Sequence, residues 1–196
     1  MYDVGDDCCI EYFQDKTIQI FEDRTYSPKS NDNINNYSLE YFSKIDGCYN
    51  SRFGIIIKKS DKILNSVIIL GDGGYAGPPD NSRYIIEDNF IIICCGNTLF
   101  SISLPSFELN WTKEVDFATA FEIYKMNDDY IIRGELTITR IDKNGEIIWQ
   151  KYGSDIFVTP DSSFYFKIIG NNICTISWDG REYKFDYNNG EDKSIK

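Results

Sequence analysis

Apolar residues along this chain come in short runs closed off by Asn, Asp, Gly and Ser, a pattern that predicts β-strands joined by tight turns. It is clearest from residue 83 onward. Strands are expected at 84–87, 90–95, 98–104 and 108–113, with turns at Asp88-Asn89 and Gly96-Asn97. The same order returns at 121–125, 130–133, 136–141 and 146–150, with turns at Asn127-Asp128-Asp129 and Gly134-Glu135, and again at 164–168, 173–177 and 182–187, with turns at Gly170-Asn171-Asn172 and Asp179-Gly180. The first 82 residues are less regular. Strands are expected at 8–13 and 17–21, at 37–42, and at 53–59 with 63–70, while the polar stretch 24–36 has the composition of a mobile loop.

One run recurs with its chemistry intact. Thr139 to Gln150 sets two strands around Asp142-Lys143-Asn144-Gly145-Glu146 and ends near Trp149. Trp111 stands 149 − 111 = 38 positions upstream, and a third version, Tyr183 to Glu191, carries Asp186 at 186 − 142 = 44 positions downstream. A period of about forty residues built of four strands is the signature of a propeller blade. Aromatic residues at such a spacing are expected to pack between neighbouring sheets. The prediction is an all-β, propeller-like array of about five short four-stranded antiparallel sheets, open or incomplete as a ring, in a single domain over 1–196. The repeats are clearest over 83–196 and irregular over 1–82.

The run from Arg140 to Trp149 resembles the repeat of quinoprotein-type (PQQ-like) β-propellers, in which an Asp, a turn Gly and an outer-strand Trp recur blade by blade. The Trp111 repeat departs from it, with Leu104-Pro105 where the Asp is expected, and the third repeat has no Trp. The chain is also similar to a family of small bacterial β-proteins sharing the Cys-Cys-Gly, Leu-Asn-Trp and Gly-Glu-Leu segments. These resemblances imply the fold and no quinone-binding residues or other cofactor.

Composition narrows the possible partners. The 20 basic residues against 31 acidic ones leave a net charge of −11, which disfavours nucleic acid, because phosphate binding rests on clustered Lys and Arg. An acidic surface instead steers a basic protein toward it. The N-terminus carries acids where a secretory signal needs a basic patch and an apolar run, and the apolar run 90–95 is far shorter than a membrane span. A cytoplasmic protein with six reduced cysteines and no membrane association is expected.

With no His in the chain, Ser-His-Asp and Cys-His catalysis are excluded. Cys8-Cys9 and Cys94-Cys95 are adjacent pairs, whose side chains point to opposite faces of a strand and cannot share one metal; they are expected as buried thiols. Asp116, Glu122, Glu135 and Asp155 are the carboxylates that could pair for acid–base work, and solvated turn positions are the simpler expectation for them. Residues 71–80 hold Gly71, Gly73, Gly74 and Gly77, a loop able to approach a ligand or to connect two sheets. Arg133-Gly134-Glu135 forms a charged turn, compensated across itself. If the two segments share a rim, Asp72, Tyr75, Asp80, Arg133 and Glu135 make a polar binding patch. No catalytic or metal-binding residue is assigned. The expected function is a non-enzymatic protein-binding module, of immunity or adaptor type, for a basic partner. The alternative is a small-molecule-binding or carboxylate-dependent hydrolytic enzyme built on loop 71–80.

Overall fold

A computed structural model describes residues 2–5, 8–158 and 166–194. The first sheet takes strands β1 (Cys8–Phe13), β2 (Lys16–Glu22), β3 (Leu39–Phe42), β4 (Ser51–Lys59) and β5 (Lys62–Gly71), in the order β1-β2-β4-β5-β3. Its last pair, β3 with β5, is parallel; all other pairs in it are antiparallel. The second sheet is β6 (Tyr84–Ile86), β7 (Phe90–Cys95), β8 (Thr98–Ser103) and β9 (Leu109–Glu114). The third is β10 (Ala120–Met126), β11 (Asp129–Gly134), β12 (Thr137–Ile141) and β13 (Ile147–Tyr152). The fourth is β14 (Phe166–Ile169), β15 (Asn172–Ile176) and β16 (Glu182–Asp186). The expected start of its first strand, residues 164 and 165, lies outside the described residues. Among those residues there is no helix, and hence none long and apolar enough to cross a membrane.

Alternation along the strands stacks the sheets. On β7, Ile91, Ile93 and Cys95 join a cluster with Ile20, Phe53, Ile55 and Ile69 of the first sheet. The intervening Ile92 and Cys94 pack with Ala120, Ile123, Tyr130 and Ile132 of the third. Such a strand reads as continuously apolar because both of its faces are covered. At about 2 kcal/mol for each fully buried Ile, these clusters supply the main driving force for stacking. On β11, likewise, Ile132 faces the second sheet while Ile131 packs with Phe157, Ile173 and Phe185 of the fourth-sheet region. The result is an open, propeller-like array of four sheets in chain order.

The period of about forty predicts about five sheets, and the described residues make four. The difference lies in residues 23–50, most of which form a cover instead of a sheet. Tyr26, Tyr37 and Tyr49 pack on Ile68 and Leu70 on the outer face of the first sheet. The stretch expected to be a mobile loop is tied down by its own polar groups. Asn35 Nδ2 donates to Asp23 Oδ2 and to the Asp3 carbonyl, both at 2.9 Å, and Asn33 Nδ2 donates to the Ser27 carbonyl at 2.8 Å. Polar composition there reflects a segment that satisfies its own backbone, with Asp23 and Asn35 buried.

Candidate functional site

The connections between consecutive sheets and the central turns of those sheets lie on one rim, joined by backbone hydrogen bonds. Asn97 N donates to Asp72 O (2.9 Å), Gly74 N to Ala118 O (2.8 Å), Glu135 N to Thr119 O (2.8 Å), Phe157 N to Glu135 O (2.6 Å) and Trp178 N to Ile156 O (2.8 Å). Loop 71–80 and the Gly134-Glu135 turn therefore do share a rim, with Thr119 between them. Gly73 has φ +85°, and a Cβ there would come within 2.9 Å of Asn97 Cβ; a Cβ on Gly74 would collide with Thr119 Oγ1. These glycines permit close backbone packing against the next connection. Since the Gly74 amide is already bonded, the loop serves as a connection, and the ligand-cradling use of that amide falls away.

Asp116 holds the middle of the rim together. Its Oδ1 accepts from the amides of Ala118 (2.7 Å) and Thr119 (3.2 Å), and its Oδ2 from the amides of Leu136 and Thr137 (both 2.9 Å) and from Thr137 Oγ1 (2.8 Å). The residue is only 3% exposed, so it is a buried structural cap and not the solvated turn acid that its sequence context suggests. Its one sequence signal is the Asp-x-x-Thr spacing from 116 to 119, the local pattern of a side chain capping its own turn.

Of the five residues expected in the patch, four reach the rim surface. Asp72 is half-buried and lies 3.5 Å from Lys44 Nζ, which also meets Glu114 at 3.2 Å. Tyr75 is 43% exposed; its hydroxyl donates to Glu22 Oε2 at 2.9 Å and accepts from Arg24. Partial burial, then Glu22, raises the pKa of that phenol, keeping it a donor at neutral pH. Asp80 is exposed and accepts from Ser82 N at 2.8 Å, with Arg83 Nε 3.6 Å away. Glu135 is half-buried and accepts from Thr119 Oγ1 at 3.0 Å.

Arg133 differs. It is 3% exposed, and its Nε donates to Glu122 Oε2 at 2.6 Å while Nη1 donates to the Phe157 carbonyl at 3.2 Å. Its ion pair with Glu122 is thus made across the β10–β11 register, where Glu122 stands opposite Arg133, rather than with Glu135 along the turn. Burial alone would raise the pKa of Glu122, but the Arg133 hydrogen bond and charge bring it below the ordinary carboxylate value. Both oxygens of Asp116 and Oε2 of Glu122 are thus taken up in hydrogen bonds within the fold. Among the described residues no three Cys, Asp or Glu side chains gather as ion ligands would.

The rim also displays large apolar groups that sequence reasoning did not single out. Phe117 is 79% exposed and Trp178 47%. With Tyr75 they stand at three places along the rim, at the connection from the first to the second sheet, at that from the second to the third, and at the central turn of the fourth. Nothing local distinguishes them, because the chain holds 14 Tyr, 13 Phe and 3 Trp, most of which the same patterning would place in strands or cores. Beside Tyr75 a cleft of about 340 Å³ is lined by both polar and apolar groups, among them Asp3, Val4, Glu22, Arg24, Ile34 and Asn35.

No protein-family model matches the sequence, and no curated protein matches it. Solved structures similar to the chain include the AfRom2 CNH domain, with 10% identity, a TM-score of 0.52, and coverage of 96% of this chain and 53% of that one. BamB from Moraxella catarrhalis is similar over 72% of this chain and 42% of its own, at 16% identity and a TM-score of 0.46. Kuenenia stuttgartiensis hydrazine synthase is similar over 72% and 42%, at 12% identity and a TM-score of 0.49. The chain spans about half the length of the CNH domain (53%) and less than that of the other two (42% each). At 10% identity the likeness to the CNH domain speaks to the fold alone, and the fold of this chain is an all-β, propeller-like array.

Proposed function

We propose that this chain is a non-enzymatic protein-binding module of adaptor or immunity type, acting in the cytoplasm as one unit over residues 1–196, and that a basic partner docks on the rim. The observation that carries the reading is the row of exposed Tyr75, Phe117 and Trp178 on a single hydrogen-bonded rim, set among the acids Asp72, Asp80, Glu135, Asp155 and Asp179. Exposed aromatic anchors bordered by polar groups are what protein interfaces are built around. The net charge of −11 adds steering toward a cationic surface. Shared core clusters between each sheet and the next favour a single unit, and six unpaired thiols sit easily with a reducing compartment. The enzymatic alternative has no comparable support, since Asp116 and Glu122 are engaged and the Gly74 amide is bonded.

The test is affinity capture with the wild-type chain and with a Phe117→Ala/Trp178→Ala double variant. A stoichiometric basic protein retained by the first and lost by the second is the expected result. Equal retention by both, or an acidic binding protein, would overturn the reading.

A further inference from the structure

We infer that Ile45 is an anchor that enters an apolar pocket of that same basic partner, a pocket bordered by Lys or Arg side chains; the inference rests on the docking face proposed above. Ile45 is 92% exposed, more than any other large hydrophobic side chain among the described residues. Isolated apolar groups on a surface need no explanation. This one differs in how it is held and in what surrounds it.

Residues 43–50 join the end of β3 to the start of β4 on the rim side, directly against loop 71–74. Asp72 N donates to Ser43 Oγ (2.8 Å), Ser43 N to Leu70 O (2.9 Å) and Asn50 Nδ2 to Gly73 O (2.7 Å). Within the turn, the Tyr49 hydroxyl donates to the Lys44 carbonyl and accepts from Gly47 N at 3.3 Å, and Asp46 closes the turn in the left-handed region at φ 57°. Tyr49 is itself backed by Phe42, with ring centroids 5.5 Å apart. Ile45 is therefore displayed at the tip of a braced turn. A backbone fixed in advance loses little conformational freedom when a partner covers the turn, which favours an anchor at its tip.

The charges around the tip define the pocket. Lys44, next to Ile45, is exposed but is paired with two acids, Asp72 at 3.5 Å and Glu114 at 3.2 Å. Asp46, on the other side, is exposed. The border of the aliphatic tip is thus acidic, and a pocket that accepts it without like-charge contact carries cations at its mouth. The turn adjoins Asp72 and Gly73, so Ile45 and Tyr75 belong to the same end of the docking face.

The experiment places a benzophenone amino acid at position 45, at position 117 and, as a control on an outer strand, at position 148, followed by photo-crosslinking in extract of the source cells and identification of the captured protein. Crosslinks to one basic protein from 45 and 117, with none from 148, are expected. With that protein purified, Ile45→Ala should weaken binding about tenfold and Ile45→Asp more, while Ile45→Leu stays within about threefold and the melting temperature is unchanged. Binding by Ile45→Ala within about twofold of wild type, or no crosslink from 45, overturns the inference; if Phe117→Ala still weakens binding, the docking face survives it. If neither variant matters, or nothing crosslinks at any position, both fall together.

Discussion

The indole of Trp149, in the third sheet, lies on Gly190, in the turn that follows β16 of the fourth. Trp149 Nε1 donates to the Tyr187 carbonyl at 2.8 Å, and a Cβ on Gly190 would stand 2.8 Å from Trp149 Cδ2. Trp111 and Gly145 repeat the arrangement one sheet earlier, with Nε1 donating to the Lys143 carbonyl at 3.2 Å and a Cβ on Gly145 only 2.7 Å from Trp111 Cδ2. Between the first and second sheets Tyr41 takes the part, its hydroxyl donating to the Phe107 carbonyl at 3.0 Å and accepting from Leu109 N at 3.2 Å. One aromatic on the outermost strand of each sheet thus clasps a turn of the next.

Gly190→Ala should therefore cost more than Gly180→Ala. Both glycines have positive φ, +68° and +82°, but a Cβ on Gly180 meets nothing within 4 Å. The backbone term alone is about 1–2 kcal/mol, and displacing the indole adds about 1–3 kcal/mol at Gly190. Urea unfolding of the two variants measures the difference; equal losses would mean that the clasp contributes nothing.

Asp116→Ala should rank among the most destabilising single changes on the rim, by about 3 kcal/mol, because it strands the buried amide of Thr137 and releases two connections at once. Asp116→Asn keeps the shape but offers one acceptor fewer, and should cost about 2 kcal/mol. Hydrogen exchange at Thr119 and Thr137, faster in both variants, would locate the damage.

The Glu122–Arg133 pair makes stability depend on pH in a defined direction. The folded pKa of Glu122 lies below its usual 4.5, so its contribution is complete above that value and is lost as pH falls through the folded value. Glu122→Gln should cost about 2 kcal/mol at pH 7 and progressively less from pH 4.5 downward. A gap between wild type and variant that stays constant to pH 3 would show that the charge of the pair is irrelevant.

Cys94 and Cys95 are fully buried, and burial pushes the Cys94 thiol up to about 12 and raises that of Cys95 as well. Cys48 is exposed. A thiol reagent at pH 7.5 should modify Cys48 quickly, and the buried pair only as fast as the protein opens. Peptide mapping over time distinguishes the two classes, and early modification of the pair would contradict the packing of β7.

Association with the proposed basic partner should slow steeply with salt, since the screening length shrinks from about 10 Å at 0.1 M to about 3 Å at 1 M. Asp80→Lys/Glu135→Lys should flatten that dependence and lower the on-rate, with a smaller effect on dissociation. Stopped-flow association at several salt concentrations measures it. An on-rate indifferent to salt would assign the −11 charge to solubility.

Strands, turns and their repetition were legible in the sequence because they rest on contacts within a few residues. Alternation decides a strand's faces, and Asp142 bonds the amides of Asn144 and Glu146 inside its own turn, as Asp186 bonds that of Asn188. The same local logic marked Trp111 and Trp149 as packing residues and Cys94-Cys95 as buried. Other features depend on which segment of chain returns to which face. The stretch 24–36 is polar, but only stacking shows that Tyr26 and Tyr37 roof the first sheet. Arg133 finds Glu122 and not Glu135 because the register of β10 on β11 places them opposite. Asp116 is buried and Phe117, its neighbour, is exposed. Trp149, within β13, lies beneath the next turn, while Trp178, just after β15, is exposed on the rim. Side-chain type sets what a residue can bond or bury, and the sequence by itself determined that much. Exposure is set by the sheet that happens to lie above it, and only the tertiary structure decided it.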